Sequence, residues 1–171
     1  QMRRFARGLA KNTESADDLV QDACKRALER LDQFKEGTRI DSWLYRIIYT
    51  RWIDKLRRAK TRVAHLRLMS SENRETANSN EYMDRIETTI DVKKALSELP
   101  QENRAAILLI GLEGHSYAEA ATVLDLPVGT VASRVSRART MVAKILAREK
   151  ARLIQLDQKM IRKHGNEQKT R

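Results

Sequence analysis

One cysteine, two prolines, six glycines and three histidines are all that this 171-residue chain has of the residues that staple, break or ligate. A single thiol, Cys24, excludes an internal disulfide and fits a reducing compartment, so a cytoplasmic location is expected. It falls among apolar helix positions and is expected to be a buried, inert thiol. His65, His115 and His164 are scattered, and no nucleophile–base pair or phosphate loop is visible. No metal, no cofactor, no small-molecule substrate and no catalysis are therefore expected. No apolar run approaches the ~20 residues that span a bilayer, so no membrane insertion is expected. No signal peptide is visible, and Gln1-Met2 reads as a cut inside a longer chain. Strand-like alternation is absent as well. Everything periodic has a helical period, which predicts an all-α fold.

Charge of one sign is abundant. Thirty-four Lys and Arg against 23 Asp and Glu give a formal net charge of +11. An acidic partner follows, either nucleic acid or a membrane surface. Hydrophobic residues make up 41% of the chain, enough for a core in each of two small domains.

The most specific stretch is SYAEAATVLDLPVGTVASRVSRAR, Ser116 to Arg139. Ser116 and Glu119 have the spacing of a capping box at a helix start. Ala120, Ala121 and Leu124 make one apolar face, with small residues where a second helix must come close. Asp125 ends that helix and tolerates the left-handed backbone of a tight turn. Pro127 suits the first turn of the next helix. Val128, Val131 and Val135 recur at helical spacing and are expected to face inward, leaving Thr130, Ser133, Arg134 and Arg137 outside. Hydroxyls and guanidiniums so placed bond to base edges and phosphates, as a helix-turn-helix in a major groove requires. The alternative is an ordinary helical hairpin with a solvated basic face.

Upstream, Met2, Phe5, Ala6 and Leu9 suggest the end of a first helix. Ala16, Leu19, Val20, Ala23, Cys24, Ala27, Leu28 and Leu31 keep an unbroken 3–4 spacing, a long amphipathic helix with Ser15 or Thr13 as N-cap. A loop around Gly37 leads to a third helix from about Asp41 to Lys60. Residues 66–83 are polar and read as a flexible linker. A second helical domain spans 84–148, with Leu96 and Leu99 ending one helix and Pro100 starting the next. The basic tail, 149–171, continues helically through Leu153, Leu156 and Met160 and is expected to be disordered from Gly165.

The third helix carries a second constellation. Trp43, Tyr45, Tyr49 and Trp52 are half of the eight aromatics and lie within ten residues. Arg46, Arg51, Lys55, Arg57 and Arg58 are among the cations interleaved with or following them, and Asp54 is the only acid between Arg46 and Arg67. Cations track phosphates and rings stack on unpaired bases at ~1–3 kcal/mol each. The competing reading is a plain core helix, and Trp43 is expected to be mostly structural. Joined by a linker, one module for unpaired and one for duplex DNA can reach two separated sites at once. A dimeric operator-binding regulator, a nucleic-acid enzyme and a peripheral membrane protein are the rival classes. The aromatic cluster, the lack of a catalytic constellation and the helix-turn-helix argue against them in turn.

In ADDLVQDACKRALERLDQF (Ala16 to Phe34), WLYRIIYTRWIDKLRR (Trp43 to Arg58) and the run from Leu99 to Arg139, the chain resembles bacterial RNA polymerase sigma factors of the extracytoplasmic-function class. The resemblance implies a region 2 domain over 1–65 and a region 4 domain over 84–148. Asp18, Gln21, Asp22 and Lys25 would dock on the β′ clamp helices of core RNA polymerase. Tyr49, Thr50, Arg51, Trp52, Lys55, Arg57 and Arg58 would open and hold the −10 element. Tyr117, Thr130, Ala132, Ser133, Arg134 and Arg137 would serve the −35 element, with the β flap as a further polymerase contact. The linker would stand in for region 3 near the RNA exit path, and an anti-sigma partner would hold the protein inactive. Two positions depart from the family. Thr50 stands where Asn is frequent, and Ala132 where a basic residue is common in the recognition helix.

Overall fold

The computed structural model describes residues 1–10, 12–69 and 87–167, with side chains over 1–10, 12–64 and 92–156. Among the described residues there are seven α-helices and no strand. α1 is Met2–Leu9, α2 Thr13–Glu29, α3 Ile40–Met69, α4 Glu87–Glu98, α5 Gln101–Gly111, α6 Tyr117–Leu124 and α7 Val128–Glu167; one 3₁₀ turn, Leu31–Gln33, follows α2.

Local chemistry explains most of the boundaries. The side chain of Asn12 accepts from the Ser15 amide at 2.8 Å, so Asn12 is the N-cap of α2 instead of Ser15 or Thr13. Ser116 and Glu119 form the expected reciprocal capping box, and Asp125 closes α6 at φ 58°. The carbonyl of Pro127 accepts from the amides of Thr130 and Val131, which places Pro127 at the cap of α7, one residue before the first turn expected of it. Pro100 likewise caps α5 from outside the helix. α3 runs nine residues past the expected Lys60 and four past the expected domain boundary at 65. The rest of the expected linker, 70–83, lies outside the described residues. α7 continues through Glu167, so residues 165–167 are helical and not disordered; 168–171 lie outside the described residues.

Each half contributes apolar residues, and among the described residues they form one continuous core. Phe5 and Leu9 of α1, Tyr45 and Ile48 of α3, Leu109 of α5, Val123 of α6, and Val131 and Val135 of α7 are all fully buried in a single cluster. α1 packs on α5 and α3 on α6, so the first half closes on the second. Gly8 makes the closest approach possible. A Cβ at that position would sit 2.7 Å from Cδ1 of Leu108. Phe5 meets Tyr45 edge-on at 5.0 Å, and Tyr45 meets His115 edge-on at 5.1 Å.

Arg104 of α5 is a buried cation with no carboxylate partner among the described residues. It donates to the carbonyls of Ser97 and of Leu99 (3.0 Å) at the end of α4, and at 3.4 Å to that of Leu9 at the end of α1. These are helix C-terminal carbonyls, the negative ends of two helix dipoles, and they take the place of a counter-ion. Arg104→Met keeps the volume and leaves those acceptors without a donor. It is expected to lower the unfolding free energy by about 2–3 kcal/mol in a urea titration. A loss within about 0.5 kcal/mol, typical of a surface change, would show that the carbonyls have other partners.

Candidate nucleic-acid interfaces

On α2 the buried stripe is Ala16, Leu19, Ala23 and Ala27. Asp18, Gln21 and Lys25 lie on the opposite face and are exposed. Asp22 is half-buried and engaged: its carboxylate accepts from Nε of Arg51 on α3 at 2.5 Å. That hydrogen bond holds the Asp22 carboxyl below its ordinary range against the opposing effect of burial. Arg51 also lies 4.0 Å from Asp54. Asp22 and Arg51, expected on two different surfaces, are thus bound to each other. Asp18, Asp22, Arg51, Lys55 and Arg58 line one shallow open cleft between α2 and α3.

Cys24 is exposed and not buried. It lies one position beyond the inward-facing stripe, as does the exposed Leu28; Leu31, also exposed, follows the end of the helix. The apolar periodicity of α2 is therefore wider than the face it buries.

Along α3, Lys55, Arg57 and Arg58 are exposed. Thr50 is exposed too, and its hydroxyl donates to the Arg46 carbonyl at 2.8 Å, so only its lone pairs face outward. Tyr49 is half-buried, and burial pushes its hydroxyl pKa up. Trp52 was expected on the reading surface, but it is only 4% exposed. It shares the 3–4 spacing of Tyr45 and Ile48, the buried edge of this helix, and its ring is not presented for stacking. Trp43 is half-buried against Phe34, with ring centres 5.4 Å apart.

In the helix-turn-helix, Arg137 and Ala132 are exposed at the start of α7. Ser133 and Thr130 are half-buried, and the Ser133 hydroxyl donates to the Thr130 carbonyl at 2.9 Å. Arg134 was expected outside but is tied to Glu102 of α5 at 2.9 Å, with 16% of its side chain exposed. Tyr117 is 37% exposed beside the cap of α6. Val128, expected inward, is half-exposed at the first residue of α7, while Val131 in the same turn is buried.

Several polar contacts that join the two halves carried no signal in the sequence. Glu113 accepts two bonds from Arg4 at 3.0 Å and one from the Tyr45 hydroxyl at 2.6 Å. Arg39 binds Glu119 at 2.5 Å, and Arg46 reaches the Thr122 carbonyl at 3.0 Å and Asp125 at 3.3 Å. His115 is buried, with Nε2 3.4 Å from the Ser42 hydroxyl. Their positions follow from how the halves dock, which no local spacing encodes. Among the described residues, no group of three His, Cys, Asp or Glu could hold a metal ion. No described helix is long and apolar enough to cross a membrane.

Residues 1–62 match the family Sigma-70 region 2, and residues 90–142 match Sigma-70, region 4. The chain is similar to the ECF RNA polymerase sigma factor SigM of Mycobacterium tuberculosis, 37% identical over 146 residues that cover 85% of this chain and 71% of that one. It is 33% identical to the ECF RNA polymerase sigma factor EcfG of Rhodopseudomonas palustris over 150 residues, 85% of this chain and 78% of that one. Among solved structures, the sigma factor RpoE of Bartonella quintana, in complex with the anti-sigma factor NepR, superposes with a TM-score of 0.70. That likeness has 32% identity and covers 85% of this chain and 89% of that one. Both family regions occur in order, so the chain belongs to the extracytoplasmic-function sigma factors, a family of transcription initiation factors and not of enzymes.

Proposed function

We propose that the chain binds core RNA polymerase through the exposed stripe Asp18, Gln21 and Lys25 of α2, with Asp22 at its inner edge. It then directs the enzyme to promoters in the cytoplasm. Lys55, Arg57 and Arg58 hold the −10 element, with Tyr49, Thr50, Arg51 and Trp52 beside them on α3. Tyr117, Thr130, Ser133, Arg134 and Arg137 serve the −35 duplex, and Ala132 leaves one position of that surface without a charge. The observation that carries this reading is the pairing within one chain of an exposed basic run on α3 with an Asp125-closed helix-turn-helix that presents Arg137. Basic residues tracking a backbone supply affinity, and a helix in the major groove supplies sequence. An anti-sigma protein is a partner of the same reading. The support is the RpoE relative, whose structure holds NepR. The β′ clamp helices and the β flap are the proposed polymerase contacts of the two halves.

Adding the protein to core polymerase on a library of promoter fragments is expected to yield defined start sites that core alone does not produce. The absence of any added product would end the reading. Asp18→Ala removes an exposed charge that has no ion pair among the described residues, so affinity for core is expected to fall by roughly fivefold, about 1 kcal/mol, in a titration of labelled protein. Thermal stability should be unchanged. An equal loss of −35 binding would argue that Asp18 is not a docking residue. Arg137→Ala is expected to cost ~1–3 kcal/mol at one −35 position if the guanidinium reads a base. A uniform loss over all sequences, with a shallower salt dependence, would make it a phosphate contact.

A further inference from the structure

One edge of α7 is covered along its first half and then left bare. Val131, Val135, Ala138 and Ile145 are buried and Val142 is half-buried, recurring every three or four residues where α7 packs on α4, α5 and α6. The same spacing runs on without a break through Glu149 to Leu153 and Leu156. Lys94 holds Glu149 at 3.2 Å and Glu98 holds Arg148 at 2.8 Å, the last ion pairs between α4 and α7 among the described residues. Past them, residues 151–156 are all exposed, Leu153 by 58% and Ile154 and Leu156 by 50% each. The helix nevertheless continues to Glu167. This overhang starts beyond residue 142, where the match to Sigma-70, region 4 ends, and neither DNA surface assigned above includes it.

The charges on the overhang decide what covers it. Lys150 and Arg152 are exposed and have no carboxylate partner among the described residues. A complementary surface therefore carries carboxylates. A second copy does not supply them from the same stretch. Glu149 is the one acid in 148–156, and it is held by Lys94 and lies 3.8 Å from Arg148. A lipid surface fits less well than a protein. Leu153 and Leu156 make a narrow stripe, the width of a helix–helix seam, whereas a helix lying in a membrane presents a broad apolar face. Lys150 also stands one turn before both Leu153 and Ile154, so a cation splits the apolar surface. A protein can set a carboxylate against that point, and acyl chains cannot.

We propose that the stretch Glu149 to Leu156 of α7 is a docking site for a protein partner that presents an acidic amphipathic helix. The apolar seam of that helix covers Leu153, Ile154 and Leu156, and its flanking carboxylates meet Lys150 and Arg152. Covering the leucines continues the buried edge of α7, and the helix gains the packing that an overhang in water lacks. The site shares no residue with either DNA surface or with the α2 stripe.

The probe is a labelled peptide of roughly three heptads with Leu at positions a and d and Glu at e and g, whose own glutamates keep it from self-pairing at neutral pH. Its binding to the full chain is followed by fluorescence anisotropy, beside an otherwise identical peptide with Lys at e and g. The acidic peptide is expected to bind and the basic one to stay free. Leu153→Ala combined with Leu156→Ala is expected to weaken the acidic peptide by about tenfold or more at unchanged helix content. Lys150→Glu combined with Arg152→Glu is expected to abolish acidic-peptide binding and admit the basic peptide, a gain that loss of folding cannot produce. No binding of the acidic peptide overturns the proposal. Binding that neither pair of substitutions changes does the same, since the peptide is then held by cations elsewhere on the chain. Gel filtration at rising concentration and co-sedimentation with phosphatidylglycerol–phosphatidylcholine vesicles accompany these titrations. Dimerisation or vesicle binding that disappears with Leu153→Ala and Leu156→Ala overturns the proposed occupant in favour of a second copy or a lipid surface.

Discussion

A carboxylate cannot leave water unless something replaces the water, and Glu113 has left it, with 1% of its side chain exposed. Burial pushes its pKa up, but the hydrogen bonds from Arg4 and Tyr45 outweigh this and leave it lowered. Tyr45 cannot move without abandoning that oxygen, and burial together with the same bond raises the pKa of its hydroxyl. Tyr45 also lies between Phe5 and His115, so α1, α3 and the loop after α5 are fixed at one point. The docking of the two halves is built around this anchor.

Apolar packing supplies most of the energy that the anchor positions. Fully burying a side chain such as Phe5, Leu9, Ile48 or Leu109 is worth about 1.5–3 kcal/mol each. The exposed ion pairs across the junction contribute at most about 1 kcal/mol apiece. Surface charge therefore orients the halves more than it binds them. The +11 net charge of the chain remains for an external polyanion.

What could be read from the sequence was what is local. The capping box of Ser116 and Glu119, the left-handed Asp125 and the inward Val131 and Val135 follow from chemistry within a few residues, and they are present. The helical class and the order of elements followed from the same kind of signal. Most of the misreadings share a physical source, the packing of one helix against another. Periodicity places Cys24, Leu28 and Trp52 on an apolar face, but whether a face is covered depends on its neighbours. Asn12 was overlooked because it precedes the periodic run that marks the helix. Among the candidate site residues, the exposed cations of α3 stand where residue type suggested. Arg51 and Arg134 do not, since each found a carboxylate from another helix.

Arg104 gives the molecule an uneven response to acid. Its acceptors are backbone carbonyls, which do not titrate, so the corner where α5 meets the ends of α4 and α1 keeps its ties as pH falls. Glu113 behaves in the opposite way. A carboxyl with a lowered folded pKa contributes stability above its unfolded pKa and loses it as pH falls through the folded value. Acid therefore weakens the anchor between the halves and leaves the ties at the Arg104 corner unchanged, so the charged part of the seam is pH-sensitive where that corner is not.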